Sequence, residues 1–299
     1  MNKSDLHGFV PAIVTPFSST GEIMFDAFEE VFEFLIARGA TTICIAGDNG
    51  ESWALSACER GQLAKLARDK ADGRVKIMMG ISAPTIDSSL AYVKAAEDSG
   101  VDVLLSMPQT YVLKASDREI MHRFDQISAA TKLPLVLYNS PRRAGFSLSV
   151  DQIESLTNHH NVIGIKESER DFFHHTKLLA RLGDKLSVMT GPCHFILPNF
   201  ALGAAGFIAT GPEFTDMLPS DLANAGRKEP GQAYRHAHNQ LTALYELLMS
   251  TATWPAGFKA ALNLIGLPAG VPRDPVLAAT QQDIDRIKKT FDQLGIQYK

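Results

Sequence analysis

The chain has 299 residues, 45% of them hydrophobic and 21% charged, with a formal net charge of −4; this is the composition of a globular protein with a large core, built as one large α/β barrel or two modest domains. With no basic surplus, nucleic acid is excluded as a natural partner. No uninterrupted apolar run of about 18 residues occurs and residues 1–8 carry no apolar segment behind their charge, so a cytoplasmic protein with no membrane partner is expected.

Residues 8–17 read as a short apolar strand ending at Thr15-Pro16, followed by an amphipathic helix over 26–38 that Gly39 closes. The alternation then repeats. Strands are predicted at 41–46, 75–80, 101–106 and 133–138, each followed by a helix: one through Arg68, then 85–99, 117–130 and 149–157. Further strands at 162–165, 186–190 and 205–209 precede helices at 170–182, 194–202 and 215–225. Eight strand–helix units without a linker predict parallel pairing and a closed (β/α)8 barrel over residues 1–230. Residues 231–299 read as a helical extension packed on that barrel, with helices at 232–249, 255–264 and 281–294 separated by Pro268, Pro272 and Pro275. Cys44, Cys58 and Cys193 are odd in number and form no CxxC, so neither a disulfide framework nor a zinc knuckle is expected.

In such a barrel the chemistry lies just past each apolar run. The run Val162-Ile163-Gly164-Ile165 leads straight into Lys166 and Glu167. Poor solvation in a strand mouth favours the neutral amine of a lysine, and a neutral amine can attack a carbonyl to form an imine. Its plainer role would be an ordinary strand-end lysine paired with Glu167 or with an acidic helix residue. Tyr138, at the end of the preceding strand, can share a pocket with Lys166 and shuttle protons there; otherwise it is a core aromatic. The turn Gly47-Asp48-Asn49-Gly50 offers backbone N–H groups to a carboxylate, and Arg143 could hold a second one bidentately. Pro108-Gln109-Thr110-Tyr111, Gly191 and Thr210-Gly211 complete the strand ends. The glycines at 191 and 203–211 leave phosphate as a rival ligand. The histidines at 159–160, 174–175, 194, 236 and 238 lack acidic partners at ligand spacing, so no metal is expected.

Taken together, Gly47-x-x-Gly50-Glu51-Ser52, Leu137-Tyr138-Asn139-x-Pro141 and Gly164-Ile165-Lys166-Glu167 resemble the dihydrodipicolinate synthase / N-acetylneuraminate lyase family of class I aldolase barrels. Ile13-Val14-Thr15-Pro16-Phe17, Gly206-Phe207-Ile208 and Pro255-x-x-x-Lys259 with Gly266-Leu267-Pro268 extend the likeness along the chain. The resemblance implies a lyase or synthase in which Lys166 forms a Schiff base with pyruvate or another 2-oxo acid and Tyr138 moves protons. It also implies that residues 48–49 hold the substrate carboxylate, that Gly191 and Ile208 line the pocket, and that Arg143 matches the arginine receiving an aldehyde substrate's carboxylate. No metal or organic cofactor is implied, and a homo-oligomer, commonly a tetramer, is. Thr110 and Tyr111 stand near the place where the synthases lend a tyrosine to a neighbouring subunit. The sequence departs from the family at Asp48-Asn49, where hydroxyl residues are usual, and a carboxylate there would repel a substrate carboxylate. Aldol-type bond formation, cleavage or dehydration of a 2-oxo acid is therefore expected. Condensation of pyruvate with aspartate semialdehyde is the specific alternative, and a non-catalytic ligand-binding relative a further one.

Overall fold

The apolar runs become eight parallel strands in the computed structural model of the chain, which describes residues 1–112, 115–228 and 231–299. They are β1 (Gly8–Phe9), β2 (Thr42–Ile45), β3 (Lys76–Gly80), β4 (Val103–Ser106), β5 (Leu135–Asn139), β6 (Val162–Glu167), β7 (Ser187–Thr190) and β8 (Gly206–Phe207). Each pairs with its sequence neighbour from β2 through β8, and β8 pairs with β1. Isolated bridges Phe9↔Ala40 and Ala12↔Cys44 close the remaining seam. The result is the (β/α)8 barrel expected.

Helices α1 (Phe25–Ala37), α2 (Ala57–Ala71), α3 (Ile86–Ser99), α4 (Asp117–Ala130), α5 (Pro141–Ala144) and α6 (Val150–His159) follow the first five strands. α7 (Phe172–Leu182), α8 (Ile196–Ala201) and α9 (Pro219–Arg227) complete the ring, and α10 (Gln232–Ser250), α11 (Ala256–Leu264) and α12 (Gln281–Leu294) form the C-terminal helical region. Serine starts several of them. Ser56, Ser116 and Ser149 each accept from the backbone N–H three residues on, where Glu59, Glu119 or Gln152 reaches back to the serine N–H.

Several predicted boundaries move, each for a local reason. The strand over 8–17 shrinks to two ladder residues because Pro11 and Pro16 have no N–H to donate. The helix expected over 215–225 starts at Pro219, since the Thr215 hydroxyl is engaged with Pro212 O and Met217 O in the preceding turn. The 194–202 helix divides into a 3-10 turn at Cys193–Phe195 and α8. β6 runs two residues further than predicted, so Lys166 and Glu167 are ladder residues opposite Met189 and Thr190. The short helix α5, carrying Arg142 and Arg143, was not anticipated.

Two cores result. Val10, Met78, Val103, Leu105, Val136 and Met189 pack inside the barrel with Leu6 beneath them, and a larger apolar layer lies between strands and helices. Every residue of β2, β4, β5, β6 and β7 is buried, which is why these strands read as continuous apolar runs. Phe214 packs against Phe258 of α11 and Phe291 of α12, fastening the helical region to the barrel.

Candidate active site

Strand alternation decides what reaches the barrel mouth. β6 is irregular opposite Leu135 and Val136, skipping Ile163 in the ladder, and beyond that point Gly164 and Lys166 face inward. A Cβ at Gly164 would lie 2.5 Å from Leu6 Cδ2, so glycine is needed where the plug residue meets the strand. Tyr138 and Lys166 are Cα partners across β5 and β6. Both are only 6% exposed, and the Lys166 amine stands 4.3 Å from the Tyr138 ring centroid.

Glu167 points the other way. Its carboxylate accepts from Asn139 Nδ2 at 2.9 Å and from Glu169 N at 2.7 Å, and an ion-pair contact of 3.3 Å reaches His174 Nε2. The plainer reading of Lys166, as the partner of Glu167, is thereby overturned: adjacent residues of one strand face opposite sides of the sheet. Asn139 Oδ1 in turn accepts from Leu148 N, so this outward network ties the strand ends to the α5–α6 connection.

The cavity at the mouth is lined by Asp48, Asn49, Tyr138, Arg143 and Lys166, with Gly191 and Ile208, each just past the end of β7 or β8, also in its wall. Ser140, Arg142, Ser168, Pro192 and Thr210 complete the barrel's share, and Tyr245, Met249 and Trp254 close it from the C-terminal region. These last three were missed from sequence. Tyr245 and Met249 lie on α10 and Trp254 in the turn before α11, and a large apolar residue in a helical region carries no mark distinguishing a pocket wall from a core position.

Two of the residues singled out stand elsewhere. Thr110 and Tyr111 are not among the residues lining the cavity; Tyr111, in left-handed backbone at φ 72°, turns its ring to solvent and is 91% exposed.

The turn after β2 is held from several sides. Ala46 and Glu51 both adopt left-handed backbone, at φ 48° and 54°, and Gly80 on β3 makes room, since a Cβ there would lie 2.1 Å from Ala46 O. Within the turn the backbone N–H groups of Asp48 and Asn49 donate to no other described residue. Asn49 Nδ2 donates to Ala12 O at 2.8 Å and Thr210 Oγ1 at 2.9 Å, bridging the seam between the first and last strands. Asp48 reaches across to Arg143: the guanidinium Nη2 lies 2.9 Å from Oδ1 and 3.0 Å from Oδ2, with Nε 3.1 Å from Oδ2.

Below the turn, Glu51 is completely buried. Its Oε1 lies 2.5 Å from Lys259 Nζ of α11, and its Oε2 accepts from Arg273 N at 2.9 Å. Lys259 also donates to Thr15 O at 2.7 Å and Val271 O at 2.8 Å. Burial pushes its amine down to about 8 against the pull of Glu51. The Thr15 and Lys259 motifs read from sequence thus meet at one point beneath the pocket.

The phosphate alternative is not supported. Gly191 N donates to Glu167 O at 2.7 Å and Gly211 N to Glu213 Oε2 at 2.7 Å, so both N–H groups are already used. His194 lies 4.2 Å from the Tyr245 ring, and burial with the neighbouring His238 and Arg170 pushes its imidazole down to about 4. Among the described residues no group of three or more His, Cys, Asp or Glu is placed to hold a metal ion, and no helix is long and apolar enough to cross a membrane.

Comparison with known proteins gives a consistent result. The model of the dihydrodipicolinate synthetase family matches residues 5–294. The 4-hydroxy-tetrahydrodipicolinate synthase of Prochlorococcus marinus is 30% identical over 285 residues, covering 95% of this chain and 93% of that protein. Its counterpart in Methanococcus maripaludis is 29% identical, covering 97% and 99%. Among solved structures, the dihydrodipicolinate synthase of Acinetobacter baumannii in complex with pyruvate superposes with a TM-score of 0.91 at 27% identity, covering 98% of this chain and 100% of that one.

Proposed function

This chain belongs to the dihydrodipicolinate synthetase family, whose members are class I aldolase-type lyases acting on pyruvate or another 2-oxo acid through a lysine Schiff base, and we propose that Lys166 is the lysine that does so here. The observation that carries this is the pairing of Lys166 with Tyr138: an amine and a phenol from adjacent strands, both nearly enclosed, aimed at one cavity.

The Lys166 amine adds to the C2 carbonyl of the 2-oxo acid, and the nitrogen's proton moves to the former carbonyl oxygen. Tyr138 donates its phenolic proton to that hydroxyl, which leaves as water and generates the protonated imine beside a phenolate. The free N–H groups of Asp48 and Asn49 receive the substrate carboxylate, while Gly191 and Ile208 bound the space around C3. The protonated imine is itself the electron sink for bond-making or bond-breaking at C3, so neither metal nor organic cofactor is needed. A cytoplasmic homo-oligomer accompanies this reading. The apolar groups left on the surface beside the mouth, Trp53 at 44%, Tyr111 at 91% and Val112 at 48% exposed, suit a subunit contact.

Borohydride trapping tests the proposal. Incubated with pyruvate and sodium borohydride, the protein should gain the mass of a reduced pyruvyl group, located on Lys166 by peptide mass spectrometry, and Lys166→Ala should gain nothing. An adduct on another lysine, or none with any 2-oxo acid, would remove Lys166 from the mechanism.

A further inference from the structure

The Asp48–Arg143 pair inside the cavity has a consequence for what can bind opposite Lys166. Arg143 is the one guanidinium on the β5 side of the pocket held in place from two directions, by the Asp48 carboxylate at 2.9 Å and by the Trp53 ring, whose centroid is 5.6 Å away. A carboxylate arriving on the distal end of a substrate would find this arginine already neutralised. It would have to displace Asp48 and leave two carboxylates facing one another in a partly enclosed site. Nothing of the kind opposes a hydroxyl. Asp48 retains unused lone pairs, and Arg143 donates through Nε and Nη2 only, leaving Nη1 without an acceptor among the described residues. Acceptor and donor therefore stand side by side, which is the complement of a hydroxyl group or a vicinal diol, since each hydroxyl both donates and accepts.

We infer that Asp48 is a specificity-determining residue that turns this pocket toward uncharged, hydroxylated partners, so that the enzyme makes or cleaves 4-hydroxy-2-oxo acids whose tail is a neutral polyol and not a second carboxylate. The inference rests on the Lys166 reaction proposed above. In the cleavage direction the Tyr138 phenolate left by imine formation takes the proton of the C4 hydroxyl. The C3–C4 bond breaks, its electron pair forms the C2–C3 double bond of the enamine and neutralises the imine nitrogen, and C4 departs as the aldehyde. Tyr138 returns its proton to C3. Water then adds at C2, giving a proton to the phenolate, and the Lys166 amine is expelled with pyruvate as the other product. No oxidant or reductant takes part. Asp48 and Arg143 hold the hydroxyls of the tail throughout and exchange no proton with the reacting carbons.

The test uses the full-length protein with pyruvate and, in separate reactions, D-glyceraldehyde as the neutral hydroxyaldehyde or aspartate semialdehyde as the carboxylated one. Pyruvate consumption is followed, and the borohydride adduct is checked in parallel. The wild type should favour glyceraldehyde in kcat/KM by at least 100-fold. Asp48→Asn, which keeps the shape and the backbone N–H but releases the charge of Arg143, should narrow that ratio at least 10-fold. Equal use of the two aldehydes by the wild type, or use of neither with the adduct intact, would overturn the role of Asp48, as would an unchanged ratio in a folded Asp48→Asn protein. The wild-type ratio decides the matter even where the variant does not fold. Absence of any adduct on the wild type would remove the Lys166 reaction and this inference with it, and that outcome is read separately by mass.

Discussion

Tyr138 and Lys166 face each other as Cα partners in the β5–β6 ladder, with the amine 4.3 Å from the phenol ring. Because the two strands are hydrogen-bonded neighbours, the distance between the groups is set by backbone pairing and not by loop conformation. Tyr138→Phe keeps the ring and the packing and removes only the hydroxyl, so loss of general acid–base catalysis should lower kcat by about 10²–10⁴. The pyruvyl adduct should still form, more slowly, which separates proton transfer from imine formation; full turnover in the variant would assign the proton to another group.

Beneath the turn, Lys259 and Glu51 form an ion pair in which neither side chain is more than 1% exposed. Replacing one partner strands the other in the core, and Lys259→Met is expected to cost about 3–5 kcal/mol of unfolding free energy. Adding Glu51→Gln to it should recover much of that loss, since the glutamine can still accept from Arg273 N. Denaturant unfolding of both single variants and the double provides the comparison; strict additivity would show that the two residues are not coupled.

Glu213 is 4% exposed, and burial raises its carboxyl to about 7 while Gly211 N donates to it. With the folded value above the unfolded one, its contribution to stability is complete below about 4.5 and is lost as the pH rises through 7. Glu213→Gln should therefore match the wild type near pH 4 and exceed it at pH 8 by about 1–3 kcal/mol. Thermal melts of the two proteins across this range would show the curves diverging upward in pH; parallel curves would mean the carboxyl does not titrate there.

The imidazole of His174 is raised chiefly by the Glu167 carboxylate 3.3 Å away, against the opposing effect of burial. The sign is the same as for Glu213. The pair stabilises the fold fully below the ordinary histidine value of about 6.5 and ceases to do so once the pH passes the raised folded value. The stability difference between wild type and His174→Gln should shrink as the pH rises from 6 to 9. A difference that grows instead would place the charge on the other side of the balance.

The order of eight strand–helix units, the serine caps and the place of Lys166 near a strand end were all determined by the sequence itself, because apolar period and capping are local properties of the chain. The direction of the Lys166 side chain was not. A strand buried on both faces carries no polar alternation to fix its phase, and only the ladder with β5, irregular at Ile163, turns Lys166 inward and Glu167 outward. The Asp48–Arg143 contact spans 95 positions and joins a turn after β2 to a four-residue helix after β5 that no periodicity could have announced. Tyr245, Met249 and Trp254 reach the pocket because the C-terminal helices pack over the barrel mouth. Chain order records which residues can react; which of them meet, and which charges cancel before a substrate arrives, is a property of packing between elements distant in sequence.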